Sequence, residues 1–166
     1  MKQRRSQDAQ DMATVTNVTE AKAYEEHALR ELRTAGYRIT MPRVQVIRAL
    51  ADTNTALSAY AIHEKIISSG GKIDVVSVYR ILATLQEVGL IHHIGVVDGY
   101  FPCRLPGSHG KRSEVVVCEP NLQVIEIELP QAIVDAVQEQ AKKYGFTPTS
   151  VKVEVTSSTC PPSSKK

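Results

Sequence analysis

At 166 residues and 42% hydrophobic content, the chain suffices for one domain of ordinary size or two small ones, each with a real core. A formal charge of +2 is too small to advertise a polyanion-binding surface, so any nucleic-acid site must be a local patch. No apolar run reaches about 18 residues, which argues against a membrane span, and no apolar segment follows the basic Lys2, Arg4 and Arg5, which argues against a secretory signal. Three widely spaced cysteines do not look like a disulfide framework; they suit a cytoplasmic protein with thiols open to metal or redox chemistry.

Residues 1–19 are polar and lack periodicity, and read as a disordered tail. A first helix is expected at about Glu20–Ala35, with Tyr24, Ala28 and Leu32 on one stripe and Gly36 ending it. Thr40 is placed to cap a second helix whose first turn takes Pro42, where a missing amide costs nothing. Ser58 caps a third helix over Ala59–Ser69, closed by Gly70-Gly71. The fourth, Asp74–Gly89, is marked at both ends: Asp74 suits an N-cap and Gly89 a left-handed terminator. Val78, Ile81, Leu82, Leu85 and Val88 make its buried stripe, leaving Ser77, Tyr79 and Arg80 on the opposite face. A hydroxyl, a phenol and a guanidinium suit contact with phosphates and base edges in a major groove. Arg30, Arg33, Arg38, Arg43 and Arg48 supply a candidate basic patch, with Glu31 the one acid among them.

After Gly89 the period falls to about two. Apolar runs at Leu90–Ile94 and Tyr100–Leu105 flank Asp98-Gly99, a strong short hairpin signal. A hairpin after an exposed-faced helix is a wing, so residues 20–105 read as a winged-helix DNA-binding domain. Residues 106–113 read as a hinge loop. Beyond it, strands at Glu114–Cys118 and Gln123–Leu129, a helix over Gln131–Tyr144 with Ile133, Val134 and Val137 inward, and a strand through Val151, Val153 and Val155 form a small α/β module at 114–156. It is too small for a large substrate pocket and reads as a dimerisation domain. Residues 157–166 read as a flexible tail. The fold class is α+β.

Three stretches carry a specific resemblance: Ala35–Arg43, Ser58-Ala59, and Ser77-Val78-Tyr79-Arg80-Ile81-Leu82. With them the chain resembles the ferric uptake regulator family of metal-responsive transcription factors from about Glu26 to Cys160. The last stretch is similar to the family's T-V-Y-R-x-L recognition helix, with serine for threonine. The resemblance implies a homodimer that binds an inverted-repeat operator in double-stranded DNA, acts as a repressor and is switched by a metal ion. It implies DNA contacts from Tyr79 and Arg80; Ser77 and Arg43 join them as candidates.

The metal pattern departs from the family. The histidine run usual before the C-x-x-C is absent, the second cysteine of that pair is Asn121, and the C-terminal pair keeps only Cys160, with Ser163 in the other place. A four-thiolate structural zinc site needs four soft ligands, so none is expected. Cys118 and Cys160 are left to stand unpaired, to bind a metal loosely or to form a disulfide.

A regulatory site resembles that of the zinc uptake regulators. His92 lies 11 residues before Cys103, and Glu126 lies eight residues after Cys118, as ligands do in that branch. The branch's histidine aligns with Lys111, and His109 stands two residues away as the substitute. The implied ligands are His92, Cys103, His109 and Glu126. Mixed N/S/O ligation suits a regulatory Zn²⁺, and the thiolate disfavours Mn²⁺ or Mg²⁺. Singly, Cys103 reads as a small buried hydrophobe and Glu126 as a solvent-facing strand residue; their joint spacing makes the case. The alternatives are a regulator of the same family that has lost metal sensing, or one that senses iron or peroxide. An enzyme using a Cys/His pair is disfavoured, because no nucleophile elbow, phosphate loop or carboxylate pair is present.

Overall fold

The computed structural model describes residues 2–104 and 112–160, with side chains from residue 18 in the first stretch and residue 114 in the second. Four helices, α1 (Lys2–Thr34), α2 (Met41–Ala51), α3 (Ala59–Ser68) and α4 (Val75–Glu87), lead into an antiparallel hairpin of β1 (Ile91–Ile94) and β2 (Gly99–Pro102). Then follow β3 (Arg112–Cys118), β4 (Val124–Glu126), α5 (Gln131–Lys143) and β5 (Val151–Ser157). The second sheet has the order β4-β3-β5, with β4 antiparallel and β5 parallel to the central strand. No helix of the described residues is long and apolar enough to cross a membrane.

The expected caps explain the helix starts. Asp74 accepts the Ser77 amide at 2.8 Å and Ser58 accepts the Ala61 amide at 3.1 Å. Thr40 has the extended backbone of an N-cap but makes no side-chain cap bond. Gly89 takes φ 78°, the left-handed conformation that ends α4 and turns the chain into the hairpin. Tyr24, Ala28 and Leu32 of α1 are buried with Ile47 and Leu50 of α2, Ile62 of α3 and Leu82 and Leu85 of α4 in one core.

Two expectations change, and one open alternative is decided. Residues 2–19 are helical rather than a disordered tail: α1 begins at Lys2. That stretch contains neither Pro nor Gly, and extending an established helix costs far less than nucleating one, so the missing apolar stripe does not stop it. In α5 only Val134 is buried; Ile133 and Val137, expected inward, are 46% and 48% exposed. Cys118 and Cys160, with unpaired thiols among their possible states, are joined in a disulfide with a Cα–Cα distance of 5.4 Å. Cys118 ends β3 opposite Ser157, and a short turn after Ser157 brings Cys160 back to it.

The N- and C-terminal portions share backbone pairing and apolar packing. The Ala56 amide donates to the Leu122 carbonyl at 2.8 Å and the Val124 amide to the Asn54 carbonyl at 2.9 Å. Ala56, Ile94 and Phe101 pack with Val115, Val117 and Val124 in a second buried cluster. The hairpin therefore lies on one face of the C-terminal sheet, and that juxtaposition builds the site.

Candidate metal centre and nucleic-acid interface

Strand alternation decides which groups meet. On β1 the side chain of His92 is 6% exposed, and on β4 Glu126, next to buried Val124 on the same face, is 8% exposed. Cys103 follows β2, its amide donating to the Leu90 carbonyl at 2.9 Å, and its thiol is buried. His92, Cys103 and Glu126 each present a ligand atom, and those atoms lie within 4.8 Å of one another. His92 Nε2 is 2.7 Å from Glu126 Oε1. The two carboxylate oxygens also accept the Arg104 amide, at 3.2 and 2.9 Å.

The electrostatics follow from this contact. Burial acts to lower the pKa of His92, but hydrogen bonds with Cys103 and Glu126, and their charges, outweigh it and push it from 6.5 up to about 9. Burial acts to raise that of Glu126, yet the hydrogen bonds from His92 and the Arg104 amide hold it below the usual carboxylate range. In this state an imidazolium–carboxylate pair neutralises the buried charge.

The donor set fits a zinc ion. One imidazole, one thiol and one carboxylate are all zinc ligands, and bonds of about 2.0–2.3 Å would set tetrahedral ligand atoms roughly 3.3–3.8 Å apart. To reach that spacing His92 and Glu126 would open from their 2.7 Å contact, and the His92 and Cys103 protons would leave. His109, the fourth residue of the sequence-based set, lies outside the described residues.

Side chains that the sequence did not nominate hold the cluster in place. Arg104 Nη2 donates to the carbonyls of Ala51 and Thr53 at 3.1 and 2.7 Å, and its guanidinium lies over Phe101. This fastens the end of β2 to the end of α2. The buried Tyr24 hydroxyl donates to the Leu90 carbonyl at 2.9 Å, the same carbonyl that takes the Cys103 amide. Burial first, then Cys103 and Glu126, raise the Tyr24 pKa. Helical periodicity marks Tyr24 as a stripe residue of α1, but its bond to Leu90 and the contacts of Arg104 are tertiary and leave no local pattern.

On α4, Tyr79 and Arg80 are exposed beside exposed Val76. Ser77 is committed elsewhere: its hydroxyl donates to Asp74 Oδ2 at 2.6 Å, so it serves the helix start. Tyr60, at the start of α3 and 62% exposed, meets the Tyr79 ring edge-on at 6.3 Å between centroids, and so joins the same surface. Arg43 stacks over Tyr37 and hydrogen-bonds the Arg38 carbonyl, while Tyr37 donates to Glu87 at the far end of α4. In the expected basic patch, Arg48 pairs with Glu25 and Arg30 with Glu31.

The sequence model of the ferric uptake regulator family matches residues 34–156. A ferric uptake regulation protein of Legionella pneumophila is 29% identical over 115 residues, which span 69% of this chain and 79% of the relative. Holo XcZur overlays with a TM-score of 0.71 at 25% identity, covering 81% of this chain and 92% of that one. A zinc uptake regulator complexed with zinc and DNA overlays with a TM-score of 0.74 at 23% identity, covering 82% and 91%; this second likeness speaks to the fold alone.

Proposed function

The chain belongs to the ferric uptake regulator family of transcription regulators, and from that premise we propose that it is a zinc-responsive repressor that binds an inverted-repeat operator in double-stranded DNA as a homodimer. The observation that carries the zinc reading is the cluster of His92, Cys103 and Glu126, drawn from the wing and from the C-terminal sheet. His109, in the loop expected at residues 106–113, is the fourth ligand in this reading. Bound zinc would supply a Lewis-acidic centre joining the wing to the C-terminal module. His92 and Cys103 fix the wing end of that link and Glu126 the other, so ligation selects one angle between the module and the recognition helix. In a dimer that angle sets the spacing of two α4 helices against successive major grooves.

The dimer reading is supported by apolar groups that one chain leaves uncovered. Ile133, Val137, Tyr144 and Phe146 along α5 and after it, and Ile125 and Val155 on the outer face of the sheet, are all more than 40% exposed. So much apolar surface in one small module suits burial against a second copy. The DNA reading rests on Tyr60, Tyr79 and Arg80 sharing one exposed face.

A second reading has its own observation. The His92–Glu126 pair already joins wing to sheet without a metal, as a family member that had lost metal sensing would require. Fluorescence anisotropy of a labelled promoter duplex, with free zinc raised after chelation at fixed salt, separates the two. The zinc sensor gains affinity and His92→Ala does not; a flat, tight response in both sinks the zinc reading. In the same assay Arg80→Ala should weaken binding by about 1–3 kcal/mol, the worth of one good base contact. Ser77→Ala should cost less, because its hydroxyl is turned to Asp74. Equal losses would displace Arg80 from the interface.

A further inference from the structure

Two carboxylates of the C-terminal sheet reach the wing, and the metal cluster uses one. Across the sheet, Val115 of β3 is paired with Glu126 of β4 on one side and with Glu154 of β5 on the other. Cross-strand partners point to the same face, so Glu126, Val115 and Glu154 form one row. Val115 packs in the shared apolar cluster with Ile94 of the wing. Glu126 grips the base of the hairpin through His92 and the Arg104 amide. Glu154 grips its turn: its carboxylate oxygens accept the Gly95 amide at 3.0 Å and the Val96 amide at 3.1 Å.

The spacing explains the match. The outer members of a three-strand row are about 9.5 Å apart, and three residues of extended strand, from His92 to Gly95, span about 10 Å. The two amides belong to the single 3-10 turn Gly95–Val97, whose first amides have no helical partner of their own. A carboxylate with an oxygen for each is the natural acceptor, and a charged acceptor makes the stronger bond. The turn tip stays available: Val96 is 54% exposed while its amide is held.

We propose that Glu154 is a positioning residue for the wing, a clasp that holds the β1–β2 hairpin on the C-terminal sheet without any metal ion. The His92, Cys103 and Glu126 cluster then adjusts the base of a hairpin whose turn is already held. The consequence for DNA rests on the regulator reading above: part of the DNA-competent arrangement persists when zinc is absent. Removing the clasp makes binding depend more heavily on zinc.

The test uses the full chain with Glu154→Gln, which keeps size but offers a single acceptor oxygen, Glu154→Ala and Glu154→Asp. Amide hydrogen exchange read by NMR comes first. Loss of the clasp should speed exchange at Gly95 and Val96 about tenfold in the Gln and Ala variants, with the β1–β2 ladder amides unchanged and partial rescue in Asp. Unchanged exchange at both amides overturns the proposal, and this arm decides it whether or not the chain binds DNA. Anisotropy follows, with chelator and with saturating zinc. The expected result is an affinity loss of about tenfold with chelator and under threefold with zinc, so that zinc activation grows. Equal losses in both conditions together with a lowered Tm mean a merely structural role and overturn it. Equal gains mean that Glu154 repels phosphate, and overturn it too.

Discussion

Glu126→Ala is expected to abolish the response of DNA affinity to zinc and to destabilise the chain on its own. The carboxylate is buried, faces the His92 imidazolium and takes the Arg104 amide with both oxygens. Removing one member of a buried ion pair typically costs about 3–5 kcal/mol, because the other charge loses its compensation. His92 escapes part of that cost by giving up its proton, so the lower end of the range is expected. Glu126→Gln separates the two effects. The amide keeps the volume and an acceptor for Arg104, so most of the stability should return in urea unfolding. It brings no charge to a metal, so zinc activation should stay lost. Should Glu126→Gln respond to zinc like the unaltered protein, Glu126 is a structural acceptor and leaves the ligand set.

The experiment matters because His92–Glu126 has two possible meanings. As a placeholder it lends the metal-free protein the same wing-to-sheet link, and in the zinc reading a bound ion would replace that proton-mediated contact with bonds to His92, Cys103, Glu126 and His109. As a permanent tie it makes the metal superfluous. Both give a closed arrangement at rest, and the shared apolar cluster and the Glu154 clasp favour that arrangement in either case. In the zinc-sensor reading, the size of the response would therefore be set by how much the cluster adds to contacts already made, which for such linkage is typically about 1–3 kcal/mol.

The helical half was legible because its signals are local. Asp74 and Ser58 cap as their chemistry dictates, the α4 stripe repeats every three to four residues, and Asp98-Gly99 turns the hairpin. Asp98 itself takes the left-handed conformation, with φ 44°. The C-terminal sheet was harder because both its faces are apolar. Alternation along β4 sets Ile125 and Ile127 against Glu126, and hydrophobicity alone puts the isoleucines inside. The sheet instead buries the Val115, Val117 and Val124 face against the wing, which carries Glu126 in with it and leaves Ile125 46% exposed. The same logic exposes Ile133 and Val137 on α5: they have no cover within one chain. Tyr24, Arg104 and Glu154 act on carbonyls or amides far away in sequence, and periodicity carries no trace of such contacts.

Reducing the Cys118–Cys160 disulfide should lower stability by roughly 4 kcal/mol, the loop-closure entropy of a cross-link with a sequence separation of 42. The closed loop contains β4, α5 and β5, nearly the whole C-terminal module, so its loss releases most of that module's freedom in the unfolded chain. The effect works chiefly on the unfolded state. The urea midpoint should therefore fall and the slope of the transition rise, as a longer free chain exposes more surface. Cys160→Ser is the cleaner variant, because Cys103 is left in place and the reductant is avoided. Local geometry predicts a second, separable result. Cys118 sits on the face of β3 opposite Val115 and Val117, away from the wing and from Glu126. Zinc activation of DNA binding by the folded protein should therefore survive in Cys160→Ser. An unfolding free energy equal to that of the unaltered protein would remove the cross-link's part in stability. A lost zinc response at full folding would mean that the sheet transmits strain from one face to the other.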